Sequence, residues 1–162
     1  MLGTRMQVLI TMMGLSIWGT FNSIWAMIRR YDYVPERVYI LTPETDIARA
    51  EIAIKMIRIL LEEHNTKPDV QLVKIKGYDV KEVVTRVRNI AEEEKAKGNQ
   101  IALDVTPGRK AVVLGSVFAG WGRKSFDHIF YLYLESLLNA NRPHILIPMS
   151  IQHPHDIITE AG

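Results

Sequence analysis

The chain contains no cysteine. That removes disulfides, thiolate metal sites and a cysteine nucleophile, and the expected location is the cytoplasm. Charge of either sign is nearly balanced: 20 Lys and Arg against 18 Asp and Glu leave a net +2. So small an excess excludes coating of bulk nucleic acid, and no long DNA or RNA is expected as a partner. Any nucleic-acid chemistry must run through a few local cations. The Walker A spacing and the dinucleotide Gly-x-Gly-x-x-Gly fingerprint are both missing, and no Ser/His/Asp triad follows from spacing. Internal repeats, low-complexity segments and linkers are absent too. What remains, with 162 residues, 48% hydrophobic and 23% charged, is a globular chain with room for a core. The abundance of Ile, Glu, Lys and Arg is compatible with a thermophile. We expect one domain over residues 1–149 and a loose C-terminal tail over 150–162.

Charge is also lacking from Met6 to Ile28, directly after Arg5. A signal peptide or membrane span is the alternative there. Thr11, Gly14, Ser16, Gly19, Thr20, Asn22 and Ser23 scatter polar groups and glycines through its middle, so a buried strand followed by a packed helix explains it better, and no membrane partner is expected.

The periodicity alternates strand and helix. Strands are predicted at Gln7–Met12, Arg37–Leu41, Val70–Ile75, Gln100–Leu103 and His128–Leu134, with a last short one at His144–Pro148. Helices are predicted at 18–30, 45–63, 79–97 and 108–121. Strands apolar on both faces and alternating with helices imply an α/β fold, an open Rossmann-like and mainly parallel sheet with helices on both faces. In the order 3-2-1-4-5 the loops after the first and fourth strands flank the switch point where ligands bind. Those loops are Gly14–Ser16 and Thr106–Lys110.

The second loop is the more informative. Asp104 ends an apolar run, Thr106-Pro107-Gly108 forms a turn, and Arg109 and Lys110 open a helix. A helix start presents unpaired N–H groups and partial positive charge. Cations there oppose the dipole, and a bound phosphate is the simplest compensation. Thr106 suits the N-cap, Pro107 the first helical position, and Gly108 a close backbone approach. The plain alternative is a capped loop with exposed cations. In the first loop Ser16 is most simply an N-cap, though it could hold a phosphate oxygen. Asn22, on an apolar helix face, most simply bonds to backbone.

Other patterns carry less. Arg123 and His128 have the Arg-x-x-x-x-His spacing of HEPN ribonucleases, but across a helix end and a strand start, so the match is chance. His153, His155 and Asp156 lie in the expected tail around Pro154 without further ligands, so no metal site is expected. Glu92-Glu93-Glu94-Lys95 reads as a solvated helix face.

Two stretches together resemble the CARF domains, the CRISPR-associated Rossmann-fold sensors. One is Val8–Asn22, with its strand, Gly14-Leu15-Ser16 turn and downstream Asn22. The other is Asp104-Val105-Thr106-Pro107-Gly108-Arg109-Lys110, which looks like the family's Asp-x-Thr-Gly-Gly-x-Lys loop. The resemblance implies a homodimer that binds a cyclic oligoadenylate across its axis. It leaves no room for an appended effector and points to the stand-alone ring nucleases, which open cyclic tetra-adenylate to linear di-adenylates with 2′,3′-cyclic phosphate ends. That switches off type III CRISPR signalling in antiviral defence. The implied chemistry is a lyase-type attack by the ribose 2′-OH and needs no cofactor or metal. Lys110 and Ser16 are the implied catalytic residues. Gly14, Leu15, Trp18, Asn22, Thr42, Asp104, Thr106, Pro107, Gly108 and Arg109 are the implied ligand-binding ones. Trp18 and the Thr42–Glu44 turn are the expected neighbours of the adenines. The family's first glycine is Pro107 here, which removes a donor and stiffens the loop; Arg109 offers a fork suited to phosphate. Two alternatives stay open: a sensor that holds the ring uncut and regulates a partner, and an unrelated α/β enzyme that uses a nucleotide phosphate at the same crevice.

Overall fold

The computed structural model describes residues 5–162; the first four residues of the expected domain lie outside it. Its sheet has six strands: β1 (Gln7–Met12), β2 (Arg37–Pro43), β3 (Asp69–Ile75), β4 (Gln100–Asp104), β5 (His128–Leu134) and β6 (Gln152–Asp156). Their order is β3-β2-β1-β4-β5-β6. The first five run parallel, and β6 returns antiparallel along β5, with Tyr131 opposite His155 and Tyr133 opposite His153. The central strands are buried on both faces, which is why they read as unbroken apolar runs.

Helices α1 (Ile17–Tyr31) and α2 (Ile47–Glu62) cover one face, where Leu9, Ile24, Met27, Ile40, Ile57 and Phe130 pack together. Helices α3 (Val80–Ala96) and α4 (Lys110–Gly120) cover the other, over Val8, Ile10, Met12, Leu41, Val87 and Leu103. A short α5 (Ile157–Ala161) follows β6.

Three expectations change. The last strand is not at His144–Pro148, where His144–Leu146 forms a 3-10 turn; it lies at Gln152–Asp156, inside the segment expected to be a loose tail. Alternation of polar and charged side chains around Pro154 hid it, because an edge strand needs no apolar run. The Glu92–Lys95 run is not wholly solvated. Glu94 falls on the inward stripe Val83-Val87-Ala91-Glu94 and has no exposed surface. It accepts hydrogen bonds from Arg37, Tyr39, Lys97 and Asn99, which replace the water it loses. Helix α4 begins at Lys110, not at residue 108. Arg109 is its N-cap residue, and Thr106 and Pro107 lie in the loop before it. The cause is Gly108, whose φ of +102° turns the chain out of the helical path.

Candidate anion site at the sheet switch point

Asp104 closes β4 at the switch point between β1 and β4 and is 1% exposed. Its Oδ2 accepts from Thr11 Oγ1 at 2.9 Å and Ser23 Oγ at 2.6 Å, and its Oδ1 from Thr106 N at 3.0 Å. One buried carboxyl thus links β1, α1 and the β4–α4 loop. Burial pushes its pKa up, against the pull of these donors. Asp104 therefore sits beneath the loop and acts on it through Thr106. Thr106 Oγ1 in turn accepts from Leu132 N on β5 at 2.9 Å, so its hydroxyl serves β5 in place of the helix cap expected for it.

The two loops meet. A Cβ placed on Gly14 would stand 3.2 Å from Pro107 Cβ and 3.4 Å from Gly108 N, so any side chain here would press the two loops apart by a few tenths of an ångström. At Gly108 a Cβ would fall 2.5 Å from Met12 Cγ. Past this turn the N–H groups of Gly108, Arg109, Lys110 and Ala111 have no hydrogen-bond partner among the described residues; the first satisfied ones are those of Val112 and Val113, bonded to Arg109 O. Proline at 107 removes a donor, but four consecutive donors remain beyond it. Such a run of free amides at a helix start is an anion cradle. Neither α1 nor α4 carries an acid in its first turn, so nothing in either first turn offsets the positive ends of their dipoles. The Arg109 and Lys110 side chains are exposed beside the cradle.

Ser16 is the N-cap of α1, accepting from Trp18 N at 3.2 Å, and its own proton stays free to be donated. Leu15 is 84% exposed, and its carbonyl accepts from Arg49, which also pairs with Asp46. Arg49 thus fixes the first loop to α2. Asn22 takes the backbone-bonding role: its Nδ2 donates to Arg142 O at 2.7 Å and its Oδ1 accepts from His144 N at 2.8 Å. Thr42 is fully buried, its hydroxyl donating to Ile40 O at 3.1 Å.

A crevice of about 260 Å³ opens beside the loops. Of the residues singled out in the sequence, Trp18, Asn22 and Thr106 line it, and Gly14, Leu15, Ser16, Thr42, Asp104, Pro107, Gly108, Arg109 and Lys110 stand outside its wall. Sequence reasoning missed the rest of the wall, chiefly Tyr131, Tyr133 and Leu137. The alternation of β5, with Phe130 and Leu132 buried and Tyr131 and Tyr133 exposed, was the available signal. Arg123 pairs with Glu92, whereas His128 Nδ1 meets Asp156, so these two serve separate contacts. His153 and His155 each pair with a different glutamate, Glu135 and Glu160. Among the described residues no cluster of three such groups is placed to hold a metal, and no helix is long and apolar enough to cross a membrane.

The fold and the position of this crevice define an open α/β sheet of the Rossmann-like class, with its loops gathered at the switch point. The sequence matches no protein-family model and no curated protein. Its fold is similar to that of Can2 from Sulfobacillus thermosulfidooxidans, solved in complex with cyclic tetra-adenylate, at 18% identity and a TM-score of 0.57 over 77% of this chain and 31% of that one. A type III CRISPR defence DNA nuclease activated by cyclic oligoadenylate is similar at 18% identity and TM-score 0.60, over 78% of this chain and 18% of that one. Enterococcus italicus Csm6, bound to cyclic hexa-2′-fluoro-hexa-dAMP, is similar at 16% identity and TM-score 0.63, over 97% of this chain and 44% of that one. The chain spans less than half the length of each. The likeness is one of fold, and it is the fold that the resemblance to CARF domains implies.

Proposed function

We propose that this chain is a CARF domain that binds cyclic tetra-adenylate as a homodimer and opens the ring to linear di-adenylates. The observation that carries the proposal is the contact of the Gly14 and Pro107–Gly108 loops beside four free amides and Lys110. Solved proteins of the same fold bound to cyclic oligoadenylates support the ligand class. Helix α4 exposes Leu114 and Phe118, with Trp121 exposed just past its end, an apolar face suited to a second copy.

In this reading the ring's own 2′-OH is the nucleophile. It attacks the adjacent phosphorus, the 5′-oxygen leaves with a proton, and a 2′,3′-cyclic phosphate forms. The protein supplies geometry and charge. The amides of residues 108–111 and the Lys110 ammonium stabilise the phosphorane oxygens. The Ser16 hydroxyl donates to a phosphate oxygen and fixes the linkage. Labelled cyclic tetra-adenylate incubated with pure protein and EDTA tests this: linear di-adenylates are expected, and a ring intact after hours at the source organism's growth temperature overturns cleavage. One observation favours the sensor as second reading. The proline in place of the family's first glycine stiffens the loop against the movement needed to bend a ring.

A further inference from the structure

The loop that carries Ser16 has few anchors of its own. Met13 N donates to Leu41 O at 2.9 Å, and the Trp18 N–H is taken by Ser16 Oγ. Between them the N–H groups of the loop make one bond among the described residues, a long one of 3.4 Å from Gly14 N to Thr20 Oγ1. Leu15 is exposed, so its side chain gives no buried hold. The remaining tie comes from another element: Leu15 O accepts from Arg49 Nη1 on α2.

Arg49 is itself held. Its Nη2 donates to Asp46 Oδ1, three residues earlier in the chain. Asp46 is the N-cap residue of α2 and is buried, yet its carboxylate caps no N–H of that helix. An acid in that place normally accepts from an amide of the first turn. Here its one hydrogen-bond partner among the described residues is Arg49. A local preference set aside in this way points to another task. The guanidinium fork holds the carboxylate and the loop carbonyl at once, each on its own nitrogen.

The carbonyl that Arg49 holds belongs to the peptide bond between Leu15 and Ser16. A trans peptide is planar, with its C=O and N–H pointing in opposite directions. Leu15 O turned toward Arg49 therefore directs the Ser16 N–H away from α2, and that N–H has no partner among the described residues. The same plane sets where Ser16 Cα stands, and with it the hydroxyl. We propose that Arg49 is a positioning residue of the ring site: held by Asp46, it fixes the Leu15–Ser16 peptide and so presents the Ser16 N–H and hydroxyl to a phosphate of the ring. This rests on the reading of the two loops as the place where cyclic tetra-adenylate is bound and opened.

A double-mutant cycle tests it, because residues that act through one another are not additive. Single-turnover cleavage of labelled cyclic tetra-adenylate at saturating ring is measured for the parent, Arg49→Met, Ser16→Ala and the double variant, with urea unfolding to check that each is folded under the assay conditions. Arg49→Met keeps the apolar stem and removes both bonds; it is expected to slow cleavage about tenfold, the cost of a displaced group. Arg49→Lys keeps the charge beside Asp46 but has one nitrogen for two acceptors. It is expected to fold as the parent does and to recover only part of the rate. Ser16→Ala is expected to slow the parent, yet to cost less than about twofold in the Arg49→Met background. Parent rate in Arg49→Met, or the full Ser16→Ala loss in that background, would overturn the inference and leave the reading of the site standing. If the parent holds the ring uncut, the same cycle is read in ring affinity, with the same outcomes. A parent that neither binds nor opens the ring would overturn the reading of the site and this inference with it.

Discussion

Ser23 Oγ lies 2.6 Å from Asp104 Oδ2 and 3.1 Å from Thr20 O, so one hydroxyl proton stands between two acceptors. Ser23 gives that proton to Asp104 Oδ2, which also accepts from Thr11, and protonation of Asp104 would release it to Thr20 O. Burial pushes the pKa of Asp104 in that direction.

A pH dependence follows. The folded pKa of Asp104 is raised above its ordinary value of 3.8, so the folded chain holds the proton more tightly than the unfolded one. Its contribution to stability is full below 3.8 and is lost as pH rises through the folded value. Asp104→Asn lacks that titration. Denaturant unfolding at a series of pH values is expected to show the variant gaining on the parent as pH rises; a difference independent of pH would show that Asp104 ionises normally.

Glu94 acts in the opposite sense. Burial raises its pKa, but hydrogen bonds from Asn99, Tyr39, Arg37 and Lys97 outweigh burial and bring it down to about 2. The stabilisation is present above the unfolded value of 4.5 and is lost as pH falls from there toward 2. Glu94→Gln is expected to lose about 2–3 kcal/mol at neutral pH, with the difference shrinking in acid. Paired urea titrations at pH 7 and pH 3 measure it.

Much of this was legible in the sequence, and the failures have physical causes. Parallel strands buried on both faces announced themselves as apolar runs, and the switch point followed from their order. Thr11 and Ser23 were visible as polar residues in an uncharged stretch, but their common partner, Asp104, is remote in sequence. Glu94 lay on the inward helical stripe, and its charge concealed that. Arg49 reaches the first loop only through tertiary packing, which no local pattern encodes, and the alternation of β5 marks Tyr131 as exposed without showing which crevice it lines.

Gly108 is a backbone requirement. With φ at +102° and Met12 Cγ 2.5 Å from the place of a Cβ, Gly108→Ala must shift either the loop or a buried methionine. A stability loss of about 1–3 kcal/mol is expected, together with weaker binding of cyclic tetra-adenylate. Thermal unfolding and equilibrium binding report the two separately. Unchanged affinity would mean that the cradle does not depend on this turn.

The exposed apolar face at α4 makes the proposed homodimer testable. Phe118 is 60% and Trp121 74% exposed, with their rings 6.3 Å apart. Phe118→Glu with Trp121→Asp is expected to leave the fold intact, since neither side chain is in the core, and to convert the dimer to a monomer in sedimentation velocity. A dimer that survives both changes uses another face.

Lys110 carries the sharpest test of the chemistry. It is the first residue of α4, exposed, beside amides with no partner. If its ammonium meets charge that develops on the phosphorane, its removal affects the transition state more than the bound ring. Lys110→Ala is then expected to slow single-turnover cleavage by roughly 10²-fold or more while weakening ring binding far less. Lys110→Arg keeps the charge but not the compact ammonium, and is expected to fall between the two. Equal losses in binding and in single-turnover rate would assign Lys110 to holding the ring, which is the behaviour of a sensor.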